Sequence, residues 1–197
     1  IVMDDYKVLN AGGLRYDGLD LDRKNLSPER VPETGGFTRQ FNWWSWRAGA
    51  VVTMRRGVVA YGQYSNAKDP VSSNIFLVNA NQNFDLTGAV QWEGGLKADL
   101  DNGRTQLTVA YFDITRDDVL DRFALDSATN IGGIKSRGVE LASTVQMTSR
   151  ARLGANFALT DAEYRPSANF VRFAGNRPPN VPRTTANRWK LDAKAKG

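Results

Sequence analysis

The chain has 197 residues, 41% of them hydrophobic and 24% charged, with 26 Lys and Arg against 21 Asp and Glu for a formal net charge of +5. It contains neither Cys nor His, which removes disulfides, thiolate and imidazole catalysis, and His- or Cys-ligated zinc. No run approaches the roughly 18 apolar residues that a transmembrane helix requires, although membrane-spanning strands leave a far weaker hydropathy signal.

The N-terminal Asp4-Asp5 reads as a turn, and no leader-like segment precedes it. Alternation begins in residues 6–22, where Val8, Gly12, Leu14 and Tyr16 share one face. Residues 23–39 hold Pro28, Pro32, Gly35 and Gly36 and read as a loop. In residues 40–55, Trp44, Trp46, Ala48, Ala50, Val52 and Met54 alternate with Ser45, Arg47, Gly49, Val51 and Thr53. Arg56-Gly57 then reverses the chain into residues 58–65, whose two faces leave open which one is apolar-facing.

A second long loop covers residues 66–87, rich in Asn, Ser and Asp but holding Phe76, Leu77, Val78 and Phe84. Residues 89–100 align Val90, Trp92, Gly94, Leu96, Ala98 and Leu100. Asn102-Gly103 between this run and the next is a hairpin signal. The fifth strand climbs from Thr105 past Asp117, as far as Arg122, and a loop spans residues 124–130. Asp117 and Asp118 resemble an acid–base couple, but beyond the apolar part of a strand they read as a solvated loop edge.

The clearest pattern is the hairpin of residues 134–163. Val139, Leu141, Ser143, Val145 and Met147 fall on one face and Arg137, Glu140, Ala142, Thr144 and Gln146 mostly on the other, with Gly138 loosening the start. The return arm sets Ala151, Leu153, Ala155, Phe157 and Leu159 against Arg152, Gly154, Asn156, Ala158 and Thr160. A period of two is a strand, not a helix. Each arm is about twice the usual strand of a soluble sheet and matches the roughly 9–11 residues that cross a bilayer. A loop over residues 164–180 leads to a last strand starting near Val181, and a polar tail from residue 191 ends the chain.

Short reversals near residues 55–57, 101–104 and 148–150 alternate with long connections, so all the short turns gather at one end of the sheet. Outer-membrane barrels have this asymmetry. Trp43, Trp44, Trp46, Trp92, Tyr16 and Tyr64 would supply an aromatic girdle at the lipid interface. A soluble secreted β-sandwich with these aromatics in its core is the competing architecture, disfavoured by strand length and loop alternation. The basic residues are dispersed rather than gathered in a patch, so no nucleic-acid partner is expected. The expected fold is all-β: an antiparallel up-and-down meander of about eight long strands over residues 1–190, an arc of a larger transmembrane barrel.

Several stretches resemble the TonB-dependent receptors, specifically the ferric-siderophore receptor barrel. They are Gly13-Leu14-Arg15-Tyr16-Asp17, Ala60-Tyr61-Gly62-Gln63-Tyr64-Ser65, Trp92-Glu93-Gly94-Gly95-Leu96-Lys97, Ser136-Arg137-Gly138-Val139-Glu140, and Gly175-Asn176-Arg177-Pro178-Pro179-Asn180-Val181-Pro182. The resemblance runs from about residue 5 to residue 189. It covers part of an architecture of about 22 strands around a plugged lumen; no plug, energy-coupling box or closing strands are in the sequence, and both ends look cut from something longer.

The resemblance implies import of a ferric siderophore through the outer membrane of a Gram-negative bacterium. Related receptors for cobalamin, haem or carbohydrate are the alternatives. Its implied partners are the siderophore, outer-membrane lipid, and the TonB energy-coupling complex acting through the plug. No catalytic residue, resident metal or cofactor is implied, with iron present only inside the transported chelate. Loop aromatics and Arg suit bulky, anionic or aromatic chelates, which singles out Phe76, Phe84, Phe170, Arg172 and Phe173 as ligand contacts. Arg137 and Glu140 are expected to face the lumen and pair with neighbours there or with the plug.

Overall fold

The computed structural model describes residues 7–24, 36–69, 84–124, 127–167 and 171–192. Among these residues ten strands follow in chain order: β1 (Val8–Arg23), β2 (Phe37–Arg55), β3 (Val58–Lys68), β4 (Gly88–Leu100), β5 (Thr105–Asp117), β6 (Leu120–Ala124), β7 (Ser127–Asn130), β8 (Ile134–Gln146), β9 (Ala151–Tyr164) and β10 (Thr184–Asp192). Eight form one antiparallel sheet in the order β1-β2-β3-β4-β5-β8-β9-β10, while β6 and β7 pair only with each other. The sheet is an open meander, an arc of a barrel. No helix among the described residues is long and apolar enough to cross a membrane.

Strand bounds follow the alternation in the sequence, with several differences: β2 begins at Phe37 and β3 runs to Lys68, each three residues into an expected loop, β10 begins at Thr184 rather than near Val181, and β7 lies within the expected loop 124–130. The fifth strand stops at Asp117, where Asp118 takes a positive φ of 56° and the chain lifts into the β6–β7 hairpin. At the other end, β10 continues to Asp192, two residues into the expected polar tail, because Leu191 and Asp192 still pair with Arg152 and Ala151 of β9. The short turns hold their own local chemistry. Asp101, Asn102 and Gly103 all sit at positive φ (53°, 57° and 84°), which suits Asp, Asn and Gly and closes β4 onto β5.

Paired residues share a face, so the registers sort every side chain across the sheet. One row reads Gly12, Ala48, Tyr64, Trp92, Asp113, Arg137, Asp161 from β1 to β9. The face it belongs to carries Leu14, Tyr16, Trp44, Trp46, Leu96, Val109, Leu141, Leu153 and Phe157, all exposed. A contiguous apolar surface of this size belongs in lipid. The opposite face carries Arg47, Gln63, Glu93, Lys97, Thr108, Glu140, Thr144 and Asn156, the composition of a wet lumen.

The apolar band shifts steadily around the arc. Its upper edge is Tyr16–Trp44 on β1 and β2, Tyr64–Trp92 on β3 and β4, and Tyr111–Val139–Leu159 on β5, β8 and β9. The short turns shift in step: β4 runs two residues beyond Val58, and the β8–β9 turn lies two beyond the Thr105–Val145 pair. Both edges move by about one residue per strand, which at about 3.3 Å rise and about 4.8 Å strand spacing tilts the strands by about 35°. At that tilt the outward apolar run of β9 from Leu159 to Ala151 spans about 22 Å, and that of β4 from Val90 to Leu100 about 27 Å. These bracket the roughly 25 Å apolar band of outer-membrane barrels.

Candidate functional site

On the inward face, small residues alternate with polar ones and the aromatics lie flat. Tyr61 of β3 pairs with Gly95 of β4, Phe112 of β5 with Gly138 of β8, and Trp189 of β10 with Gly154 of β9. In each pair the ring covers the space where a side chain on the glycine would project. Aromatic rings resting on neighbouring glycines restore packing to a strand position that has none of its own. They also keep the wall low.

Around Tyr61 the wall becomes charged. The Tyr61 hydroxyl donates to Glu93 Oε1 at 2.7 Å, while the Gln63 and Gln91 amides donate to Glu93 Oε2 at 3.1 and 3.0 Å. Lys97 Nζ lies 4.9 Å from the Tyr61 ring centre. Glu140 occupies the same cross-strand row as Tyr61, with only Gly95 and Ala110 between them. Two carboxylates, Glu93 and Glu140, therefore share the polar face on β4 and β8.

Towards the long loops the inward face turns apolar. Trp43, Phe84, Leu86 and Leu120 are buried together, flanked by Leu19, Leu21, Phe37 and Phe41. Arg39 stacks on Phe84 with its guanidinium carbon 4.3 Å from the ring centre, and donates through Nη1 to the Phe84 carbonyl at 3.0 Å. Arg23 stacks on Phe37 at 4.3 Å. A second cluster joins Val119, Ile131 and Tyr164, with Ile134 and Phe173 against it. Neighbouring residues Val119 and Leu120 belong to different clusters, so the β5–β8 connection ties the segment before β4 to the segment after β9. Three bonds reinforce the tie: the Thr87 hydroxyl donates to the Asp118 carbonyl at 2.9 Å, the Arg165 N–H donates to the Gly133 carbonyl at 2.9 Å, and Arg165 pairs with Asp117.

Asp85 sits beside the first cluster. Burial by itself would raise its carboxyl, but the Lys68 ammonium at 2.8 Å and the Leu86 N–H at 2.7 Å hold it below its usual value. Past β9, the Arg177 guanidinium spans the loop: Nη1 donates to the Val181 carbonyl at 3.1 Å and Nη2 to the Thr160 carbonyl at 2.9 Å.

The expected site residues are distributed as follows. Phe84 is 5% exposed and packs beneath the loops. Arg172 and Phe173 lie in a short 3-10 turn, Val171–Phe173, with the Arg172 guanidinium 5.3 Å from the Phe173 ring centre; Arg172 is exposed and Phe173 half-buried. Phe76 and Phe170 lie outside the described residues. Glu140 lies on the polar face of the sheet, in the row of Tyr61. Arg137 does not: β8 pairs without a shift through Gly138, so residues 137 and 140 keep opposite faces, and Arg137 points outward beside Val139. Trp43 likewise departs from the expected outward girdle, being 8% exposed in the inward cluster, whereas Trp44 and Trp46 remain outside. Glu93 and its amide partners went unremarked in the sequence, although their alternation with Trp92 and Gly94 carries the signal.

The family model for the TonB dependent receptor-like β-barrel matches residues 2–194. The ferrioxamine B receptor of Salmonella typhimurium is 28% identical over 187 residues, covering 94% of this chain and 23% of that protein. The ferrichrome outer membrane transporter/phage receptor of Escherichia coli is 28% identical over 190 residues, covering 93% of this chain and 23% of that protein. In three dimensions the crystal structure of the siderophore receptor PiuA from Acinetobacter baumannii superposes with a TM-score of 0.73 at 23% identity, over 93% of this chain and 28% of that one. The chain thus spans about a quarter of the length of the curated relatives it matches.

Proposed function

The chain belongs to the TonB-dependent receptor β-barrel family, and from that premise we propose that it is one arc of an outer-membrane receptor that binds and imports a ferric siderophore. The observation that supports this best is the two-faced sheet: an apolar outer band about 25 Å tall over a polar inner wall. The relatives, a ferrioxamine B receptor and a ferrichrome transporter, supply the cargo class.

In this reading no bond is made or broken, no cofactor resides in the protein, and iron passes only as chelate. The loop plate around Val119 and Leu120 frames the mouth, and Arg172 with Phe173 offers a cation and a ring to an anionic or aromatic chelate. Glu93 and Glu140 face the lumen, where a plug domain bearing cationic side chains would dock and be moved by the TonB complex.

The test is growth of an iron-starved strain lacking its own siderophore receptors, complemented with the whole receptor that contains this segment. Growth on ferrioxamine B or ferrichrome is expected, and R172A or F173A should weaken ferric-siderophore binding about ten-fold at normal surface expression. Growth on neither chelate rejects siderophore import. Unchanged affinity in both variants removes the two residues from the binding site.

A further inference from the structure

The polar face changes where β3 leaves β2. Pairing of these two strands ends at Arg47–Ser65, while β2 continues along β1 as far as Phe37. Asn66 closes the end of the ladder: its Oδ1 accepts the Trp46 N–H at 2.7 Å, and its Nδ2 donates to the Trp44 carbonyl at 3.4 Å. Beside this junction lies a cavity of about 450 Å³ whose lining includes Gly13, Arg15, Ser45, Arg47, Ser65 and Asn66.

The registers fix its height. The row Gly13–Arg47–Ser65 lies two residues above the row of Gln63 and Glu93, towards the long loops. Arg15 and Ser45 pair one row higher, and Trp43 of the buried cluster follows two residues beyond Ser45. On the opposite face of the same strands Trp46 and Tyr64 meet ring to ring at 4.5 Å. The cavity thus sits at the level of the aromatic girdle, between the apolar cluster and the Glu93 network.

Its polar groups lack partners. The Ser45 hydroxyl is buried without a hydrogen bond, and so is the Trp43 indole N–H. Arg47 reaches across Gly13, its Nε 3.4 Å from where a side-chain carbon on that glycine would stand. Among the described residues Arg47 has no ion-pair partner. Arg15 holds Asp17 through Nε at 2.7 Å, a pair that is neutral as a unit. Glu93 draws its donors from Tyr61, Gln63 and Gln91 instead. Arg47 therefore sets the sign of the cavity.

We propose that this cavity is a carboxylate subsite for the cargo. Arg47 pairs with a carboxylate on the periphery of the chelate, and the Ser45 hydroxyl donates to the same group. The subsite rests on the siderophore reading and deepens it: of two chelates with one iron centre, the one bearing a free carboxylate binds more tightly. A guanidinium takes a carboxylate bidentately. A buried hydroxyl without a partner costs free energy that an arriving acceptor recovers. One uncompensated cation matches one singly charged group. A chelate entering from the long loops passes the apolar cluster and meets Arg47 before the Glu93 network.

The experiment uses the whole receptor in mild detergent and titration calorimetry with two ferric chelates. One is ferrioxamine B acylated on its amine with succinate, which leaves a free carboxylate; the other is acylated with acetate, which leaves none. The succinyl chelate is expected to bind about ten-fold more tightly, the worth of a charge-assisted hydrogen bond. R47A should bring the ratio of the two affinities close to one, and S45A should lower it by less. R47Q, which keeps the length of the side chain, carries the same expectation as R47A should the alanine variant not fold. Equal affinities in the wild type overturn the subsite and leave siderophore import standing. A ratio that survives in both Arg47 variants overturns it too, and is the result expected if Arg47 only braces the wall or pairs with an acid of the plug. Binding of neither chelate removes ferrioxamine-type cargo and the subsite together.

Discussion

Phe112 of β5 lies across Gly138 of β8, its ring over the face from which any larger side chain would project, while the Leu159 carbonyl closes the space from the other neighbouring strand. The wall is thin there because the glycine lets the ring lie down. A valine at Gly138 would have to push both aside, and overpacking of this kind costs about 1–3 kcal/mol. Urea unfolding of the whole receptor, followed by its heat-modifiable gel mobility, should show G138V destabilised by that amount. G88A is the matched control, since nothing lies within 4 Å of a side chain there and its φ is ordinary; it should be near neutral.

Adjacent residues on β8 face different solvents. Leu141 is in the apolar band and Ala142 on the inner wall, set by pairing with Val109 and Phe157 on one face and Thr108 and Asn156 on the other. L141R places a cation in hydrocarbon, one outward position below the upper edge of the band. It should cost more than the about 0–1 kcal/mol of the interface and less than the about 2–4 kcal/mol of the midplane, while A142R meets water and should cost far less. Because the chain lacks cysteine, single cysteines at 141 and 142 report the same division. A lipid-soluble quencher should act on a fluorophore at 141 and a water-soluble one at 142. The reverse result would turn the sheet inside out.

Leu120 is buried against Phe84 and Leu86, and its neighbour Val119 against Ile131 and Tyr164. Removing most of the side chain in L120A should cost roughly 2–5 kcal/mol. The cost should appear as faster amide exchange in residues 84–87 and in residues 118–133 together. Acceleration confined to one of these segments would mean that the two clusters open independently.

The Lys68–Asp85 pair confers a small pH dependence on the same region. The folded Asp85 carboxyl lies below its ordinary value, so its contribution is complete above about pH 4 and is lost as pH falls through the lowered folded value. Asp85 is largely exposed, which limits the effect to that of a surface pair, under about 1 kcal/mol. Proteolysis of the 69–87 segment should speed up on acidification in the wild type. D85N should be faster from the start at neutral pH and flatter below it.

The period-two alternation, the strand lengths and the division into short turns and long loops were all legible in the sequence. These are local properties, written by the pleat and by turn residues such as Asp101, Asn102 and Gly103. The strands followed to within about three residues at their ends, because each amphipathic run is its own record of which face is buried, whereas β2 and β3 continue into expected loops and β7 forms inside one. The facing of Arg137 was not legible: Gly138 looked like a place for the alternation to slip, and only unbroken pairing with β5 and β9 shows that it does not. Trp43 needed the tertiary structure as well, since three near-consecutive tryptophans do not say which of them turns inward.

Two further features depended wholly on how strands meet. The stagger of one residue per strand is a relation between neighbours, invisible in any single run, and it alone sets the tilt and the height of the membrane band. The buried clusters at the loop end join residues such as Leu21, Phe84 and Leu120, far apart in the chain. Alternation is a short-range pattern that each strand carries for itself; register and loop packing are long-range contacts, chosen by the sheet as a whole.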